Sequence, residues 1–250
     1  MRIAIFGDSY ATDKYLYTQD RTNTPWSKYL ERAGHTVTNF ARSGSSLVFS
    51  YMEFLKINRN DYDKIIFVIT ASDRIYLPEI ADVLWPDRIC ARHITPGSLE
   101  DPDRPGLTFE YTSQQAEMLR AINAYYKFIH NTDVEAIHYG LIIEKLQSLQ
   151  DENILFINTY IDTRYPLLNN TNRISDRTID FNLKLVHLID CEYYKISPAF
   201  NDARINHMNH INNKFFAKCV LGWLKNGIFD VDMNMFVPDT RGLEYIVNPN

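Results

Sequence analysis

Residues 63–70 read DKIIFVIT, and the five residues 65–69 are all apolar. A run this short, rich in β-branched residues and without alternation, suits a strand covered on both faces, as in the middle of a parallel sheet. Two further runs are of the same kind: residues 2–6 (RIAIF) and residues 35–41 (HTVTNFA). Helical segments separate them. Residues 25–33 (PWSKYLERA) read as a helix, with Pro25 suited to its first position and Gly34 to its exit. Residues 46–55 read as a second helix. Strands that alternate with helices pair in parallel through right-handed crossovers. The expected fold class is therefore α/β, a three-layer α/β/α sandwich with a central parallel sheet of about five strands.

The second half continues the pattern after an interruption. Prolines recur at positions 78, 86, 96, 102 and 105, so residues 76–110 read as a loop-rich excursion inserted into the domain. Residues 112–131 follow as a long helix, with Met118, Leu119, Ile122, Tyr125, Tyr126 and Ile129 near helical spacing. Residues 133–150 carry Ile137, Leu141, Leu146 and Leu149 and read as another helix. Residues 153–159 (NILFINT) give a fourth strand. Residues 178–189 are amphipathic, and residues 192–196 (EYYKI) suggest a fifth strand. Residues 209–225 form a closing helix that Gly227 ends. One domain over residues 1–227 is expected, with residues 228–250 as an extension packed on it.

Composition excludes several classes. With 23% charged residues and a formal net charge of -5, the surface does not suit a polyanion, so nucleic acid is not an expected partner. No apolar run approaches the roughly 20 residues of a membrane span. The N-terminus lacks the pattern of a signal peptide. The three cysteines, Cys90, Cys191 and Cys219, are far apart and form no CxxC pair, which argues against a disulfide framework or a zinc knuckle. The expected setting is a reducing, cytoplasm-like compartment. Heavy use of Asn, Tyr, Ile and Asp also fits an AT-rich source such as a virus, with attachment to a virus particle as an alternative setting.

In open parallel sheets the reactive crevice lies outside the C-terminal ends of the strands. Three small-residue clusters fall there: Gly7-Asp8-Ser9, Ser43-Gly44 and Ser72-Asp73. A serine hydroxyl becomes a nucleophile when a base lies within hydrogen-bond reach and donors face the oxyanion that forms. Ser9 follows a strand, where the amides of a following helix would favour negative charge. Gly44 has no side chain, so its N–H can come close to a substrate oxygen. The candidate base lies in residues 202–217 (DARINHMNHINNKFFA).

These segments resemble the SGNH (GDSL-type) hydrolases. IAIFGDSY (residues 3–10) is similar to the family's first block, whose Ser is the nucleophile. NFARSGSS (residues 39–46) is similar to the second, whose Gly donates an oxyanion N–H. HMNHINNKFFA (residues 207–217) is similar to the last, with His207 as base and Met208, Asn209 and Ala217 in register. The resemblance implies a flavodoxin-like SGNH fold and a serine esterase or acyltransferase without cofactor or metal. The substrate implied is a small-molecule or carbohydrate ester, O-acetyl sugars included. In that reading Ser9 attacks, His207 is general base, and the Ser9 and Gly44 amides with Ser72 hold the oxyanion. Asp8 and Asp73 stand as supporting residues.

The chain departs from the family twice. Ser72 stands where the third block carries Asn, and loss of one oxyanion donor costs about 2.7–4 kcal/mol of transition-state stabilisation. Arg204 stands where the family places its Asp, so the orienting acid is assigned to Asp202, two residues earlier. These departures motivate an alternative: a non-catalytic module on the same fold, for binding or structure. A nucleotide or flavin site is the third reading. Against it, GxGxxG and GxxxxGK[ST] are absent and Asp8 would repel a phosphate. His207 and His210 are spaced i, i+3, which can place two imidazoles on one helical face, but no carboxylate-rich helix or third histidine motif accompanies them, so no metal site is assigned. His35, His93, His130, His138 and His187 receive no catalytic role. The oligomeric state is left open.

Overall fold

The computed structural model describes residues 1–13, 24–70, 74–76, 93–94, 111–149, 152–158, 179–180, 208, 210–232 and 235. Within them the strands are β1 (Arg2–Phe6), β2 (Thr36–Asn39), β3 (Lys64–Ile69), β4 (Ile75–Tyr76), β5 (His93–Ile94), β6 (Ile154–Asn158) and β7 (Ile179–Asp180). The helices are α1 (Trp26–Arg32), α2 (Leu47–Lys56), α3 (Ser113–Phe128), α4 (Thr132–Gln147) and α5 (His210–Asn226).

The main sheet is parallel, in the order β2-β1-β3-β6-β7. Four of these strands are four to six residues long, whereas β7 contributes only two residues beside β6. The substantial sheet is thus four strands, where the sequence pointed to about five. The fifth strand expected at residues 192–196 lies outside the described residues. The parallel order puts β1 and β3 in the interior, which explains their unbroken apolar character. Alternate residues feed opposite faces. Ile3, Ile5, Ile66, Val68, Leu155 and Ile157 join Trp26 and Leu30 of α1 and Phe216, Val220 and Trp223 of α5 in one core cluster. Ala4, Phe6, Ile65, Phe67, Ile69, Ile154 and Phe156 join Leu47 and Phe54 of α2 and Ile143 and Leu146 of α4 in the other.

Local chemistry sets the helix ends. Pro25 is the N-cap of α1, one position earlier than the sequence reading placed it. At the other end Gly34 N–H donates to Glu31 C=O at 2.9 Å and His35 N–H to Leu30 C=O at 3.2 Å, the two bonds of a Schellman motif. The Ser46 hydroxyl caps α2 by accepting from Phe49 N–H, and Thr112 with Gln115 forms a capping box on α3. Asn131 caps α4, whose first turn carries Asp133 and Glu135 against the positive end of the helix dipole.

Of the apolar residues named in these two helical segments, Ile137 and Leu141 of α4 are exposed, and so is Ile129 beyond α3. The face of α4 that meets the sheet runs through Tyr139, Ile142, Ile143 and Leu146. Apolar residues occur on several faces of this segment, so spacing alone did not single out the inward one. The excursion at residues 76–110 is described only where β4 and β5 pair antiparallel, Ile75 with Ile94 and Tyr76 with His93. After α5, Phe229 and Val231 pack against the first core cluster, so the start of the C-terminal extension lies on the domain. Among the described residues, no helix is long and apolar enough to cross a membrane.

Phe67 holds the centre of the second cluster, with ring centroids 5.9 Å from both Phe6 and Phe54 and 6.2 Å from Phe156. Phe67→Ala is expected to destabilise the protein by about 3–5 kcal/mol in urea unfolding. Phe128→Ala, at a 74% exposed position, is expected to stay within about 0.5 kcal/mol of the parent. Equal effects of the two would contradict this placement of the core.

Candidate active site

Parallel pairing brings the C-terminal ends of β1, β2 and β3 to one edge of the sheet. β1 leads into a turn in which the N–H groups of Ala11 and Thr12 both donate to Asp8 C=O at 3.0 Å. Ser9 begins this turn and is buried, 8% exposed. The sequence reading supplied a helix directly after Ser9. Among the described residues, a turn follows instead, and the next helix is α1. Gly7 enters the turn at φ +144°, and a Cβ there would lie 2.7 Å from Val68 Cβ and 3.0 Å from Val68 O. Glycine is required by the closeness of β3 as much as by its own torsion.

The loop after β2 is fastened to the same place. Arg42 N–H and the Ser45 hydroxyl both donate to Gly7 C=O, at 3.1 and 2.8 Å. Ser45 N–H closes a turn onto Arg42 C=O, with Gly44 at the third position and φ +74°. That position takes positive φ in a type II turn, which favours glycine. Asn39 contributes from the end of β2: its amide donates to Ala11 C=O at 2.8 Å and accepts from Ala41 N–H at 2.9 Å. The Ser9 turn and the Gly44 loop are therefore held together through Gly7, Asn39 and Ser45. Among the described residues, neither Ser9 N–H nor Gly44 N–H has a hydrogen-bond acceptor.

Beneath Ser9 lies a polar network whose members, Asp8 apart, the sequence reading did not single out. The Asp8 side chain is 1% exposed. Its Oδ2 accepts from the Thr70 hydroxyl and from Arg74 Nη1, both at 2.7 Å, and its Oδ1 accepts from Tyr10 N–H at 3.0 Å. The Tyr139 hydroxyl donates to Thr70 C=O at 2.9 Å. A carboxylate this deeply buried requires a charge partner and filled acceptor positions, and Arg74 and Thr70 provide them. The sequence argument that Asp8 would repel an anion loses its force, because the Arg74 guanidinium compensates the charge. Arg74 directly follows the Ser72-Asp73 pair, and an arginine beside a strand-end acidic motif was the available signal.

A second chain of bonds runs from the turn after Ser9 to the C-terminal block. The Trp26 indole N–H donates to Tyr10 C=O at 2.6 Å. The Trp26 backbone N–H donates to Asn213 Oδ1 at 3.1 Å, and Asn213 Nδ2 donates to Met208 C=O at 2.8 Å. Met208 is itself buried in the cluster that holds Ala11 and Trp26. Thus the residue after His207 in the chain is tied, through two side chains, to the residue after Ser9. His207, Asp202, Ser72 and Asp73 lie outside the described residues. Ser9, Gly44 and Asp8 share the sheet edge as the sequence reading expected. His210 is the first residue of α5.

The chain was compared with protein-family models, curated proteins and solved structures, and none matches.

Two substitutions check this construction. Gly7→Ala is expected to cost about 1–3 kcal/mol from overpacking against β3, measured by urea unfolding; parent-like stability would contradict the close approach to Val68. Asn213→Leu removes an acceptor and a donor at once and takes these bonds from Trp26 N–H and Met208 C=O. Its expected cost is about 1–3 kcal/mol for the loss of these two buried bonds. An unchanged urea midpoint would show that Asn213 does not join the two segments.

Proposed function

We propose that this chain is a serine hydrolase of the SGNH type, acting on a carboxylic ester through an acyl-enzyme on Ser9. The observation that carries the reading is the Tyr10–Trp26–Asn213–Met208 chain of hydrogen bonds, which ties the two sequence blocks for nucleophile and base to one another. Packing of helices against both faces of the parallel sheet supports the finer assignment, a three-layer α/β/α sandwich of that family. The unpartnered amides of Ser9 and Gly44, counted among the described residues, support an oxyanion hole.

In the proposed mechanism, His207 takes the Ser9 proton as the hydroxyl attacks the ester carbonyl. The amides of Ser9 and Gly44, with Ser72, hold the negative charge on the tetrahedral oxygen. His207 then returns the proton to the departing alcohol, and Asp202 orients the imidazole. Water, entering with His207 as base, releases the acid; an alcohol acceptor in place of water would transfer the acyl group. A carbohydrate ester is the preferred substrate class, because the chain's polar excursion suits a sugar better than a long lipid tail.

A second reading, a non-catalytic module on this fold, is favoured by the burial of Ser9. One experiment separates the two. The esterase reading expects turnover of p-nitrophenyl acetate, loss of at least about 10³-fold in Ser9→Ala and in His207→Ala, and labelling of Ser9 by a fluorophosphonate. A folded parent that is neither labelled nor faster than Ser9→Ala supports the binding module.

A further inference from the structure

We propose that Arg74 is a positioning residue for the Ser9 site, holding the nucleophile turn, the Gly44 loop and the end of β3 in one fixed arrangement. The inference rests on the reading of Ser9 as nucleophile and adds to it a residue that no block of the SGNH resemblance includes. Arg74 Nη1 lies 2.7 Å from Asp8 Oδ2, 2.8 Å from Thr70 Oγ1 and 3.1 Å from Ser45 C=O. Each acceptor belongs to a different strand end. Asp8 precedes Ser9, Ser45 follows Gly44, and Thr70 directly follows β3.

The protons assign themselves. The Thr70 hydroxyl gives its own proton to Asp8 Oδ2, so its oxygen is left to accept from Arg74. Nη1 has two protons for three acceptors, and one proton is shared. A charged donor makes such bonds short and strong, and the planar guanidinium fixes their directions as a rotating ammonium does not. The Arg74 side chain is 20% exposed against 1% for Asp8, so the arginine enters from the solvent side and closes over the carboxylate.

The consequence is geometric. Without Arg74, Asp8 is a buried charge lacking its cation, and it relaxes by turning toward water. Asp8 Oδ1 holds Tyr10 N–H and Asp8 C=O holds the N–H groups of Ala11 and Thr12, so movement of Asp8 moves Ser9. Gly44 loses its tie through Ser45 C=O in the same event. A displacement of about 1 Å between nucleophile and oxyanion donors costs on the order of 10²-fold in rate.

The test compares Arg74→Met, Arg74→Lys and the double variant Arg74→Met/Asp8→Asn. Hydrolysis of p-nitrophenyl acetate, fluorophosphonate labelling of Ser9 and urea unfolding are read for each, beside the parent and Ser9→Ala. Arg74→Met is expected to lose about 10²-fold in kcat with KM changed less than about threefold, and its labelling is expected to slow in parallel. Arg74→Lys is expected to recover part of that loss. The double variant removes the uncompensated charge, so stability returns toward the parent while kcat and labelling stay low. It carries the comparison if Arg74→Met alone fails to fold. Recovery of kcat together with stability in the double variant overturns the proposal, since Arg74 would then serve only to neutralise Asp8. Parent-like kcat in Arg74→Met overturns it as well. Failure of the esterase reading shows differently, as a parent no faster than Ser9→Ala, and it takes the positioning role down with it.

Discussion

Burial of both faces of a parallel sheet is the constraint from which the rest follows. Ile65 to Ile69 have no solvent-facing alternative, so each successive residue has to find a helix, on one face and then the other. Parallel strands joined by crossover connections place helices on both faces and so supply that cover. Parallel strands then end together. The three loops that leave β1, β2 and β3 meet at one edge whatever their residues, and that edge is where polar chemistry has room to collect.

Meeting at an edge does not give loops a defined geometry. Here that geometry comes from polar groups withdrawn from water. Gly7 C=O receives two donors from the loop after β2, and the Asp8 carboxylate receives three, from Thr70, Arg74 and Tyr10. A half-satisfied network of this kind is more costly than an apolar one, so its members hold one another to a single arrangement. The second anchor is Asn213, whose amide serves the buried start of α1 and the segment leading into α5 at the same time. One face of the sheet is thereby linked to residues nearly 190 positions apart, |i−j| being 187 for the Trp26–Asn213 bond.

Much of the fold was legible because its causes are local. The unbroken run at residues 63–70, Gly34 at the exit of α1 and the apolar strand at residues 153–159 all carry their reasons within a few residues. The helices at residues 112–149 were legible as helices and not as to which face turns inward, since Ile137 and Leu141 have the right spacing and point to solvent. Which stripe is buried depends on where the sheet lies. For the site, Gly7-Asp8-Ser9 and Gly44 were legible as motifs. Arg74, Thr70, Ser45 and Asn213 were not, because each acts through a partner at least 29 positions away except for local bonds, and of the four only Arg74 has a neighbouring motif, Ser72-Asp73, to mark it.

By itself the sequence determined the class of fold and the places where strands stop, since apolar periodicity and turn chemistry act over short stretches of chain. The tertiary structure decided which strand lies beside which, which helix face is buried, and that a guanidinium after β3 reaches a carboxylate after β1. Those outcomes depend on long-range packing and on satisfying buried polar groups, and neither is written at any one position of the chain.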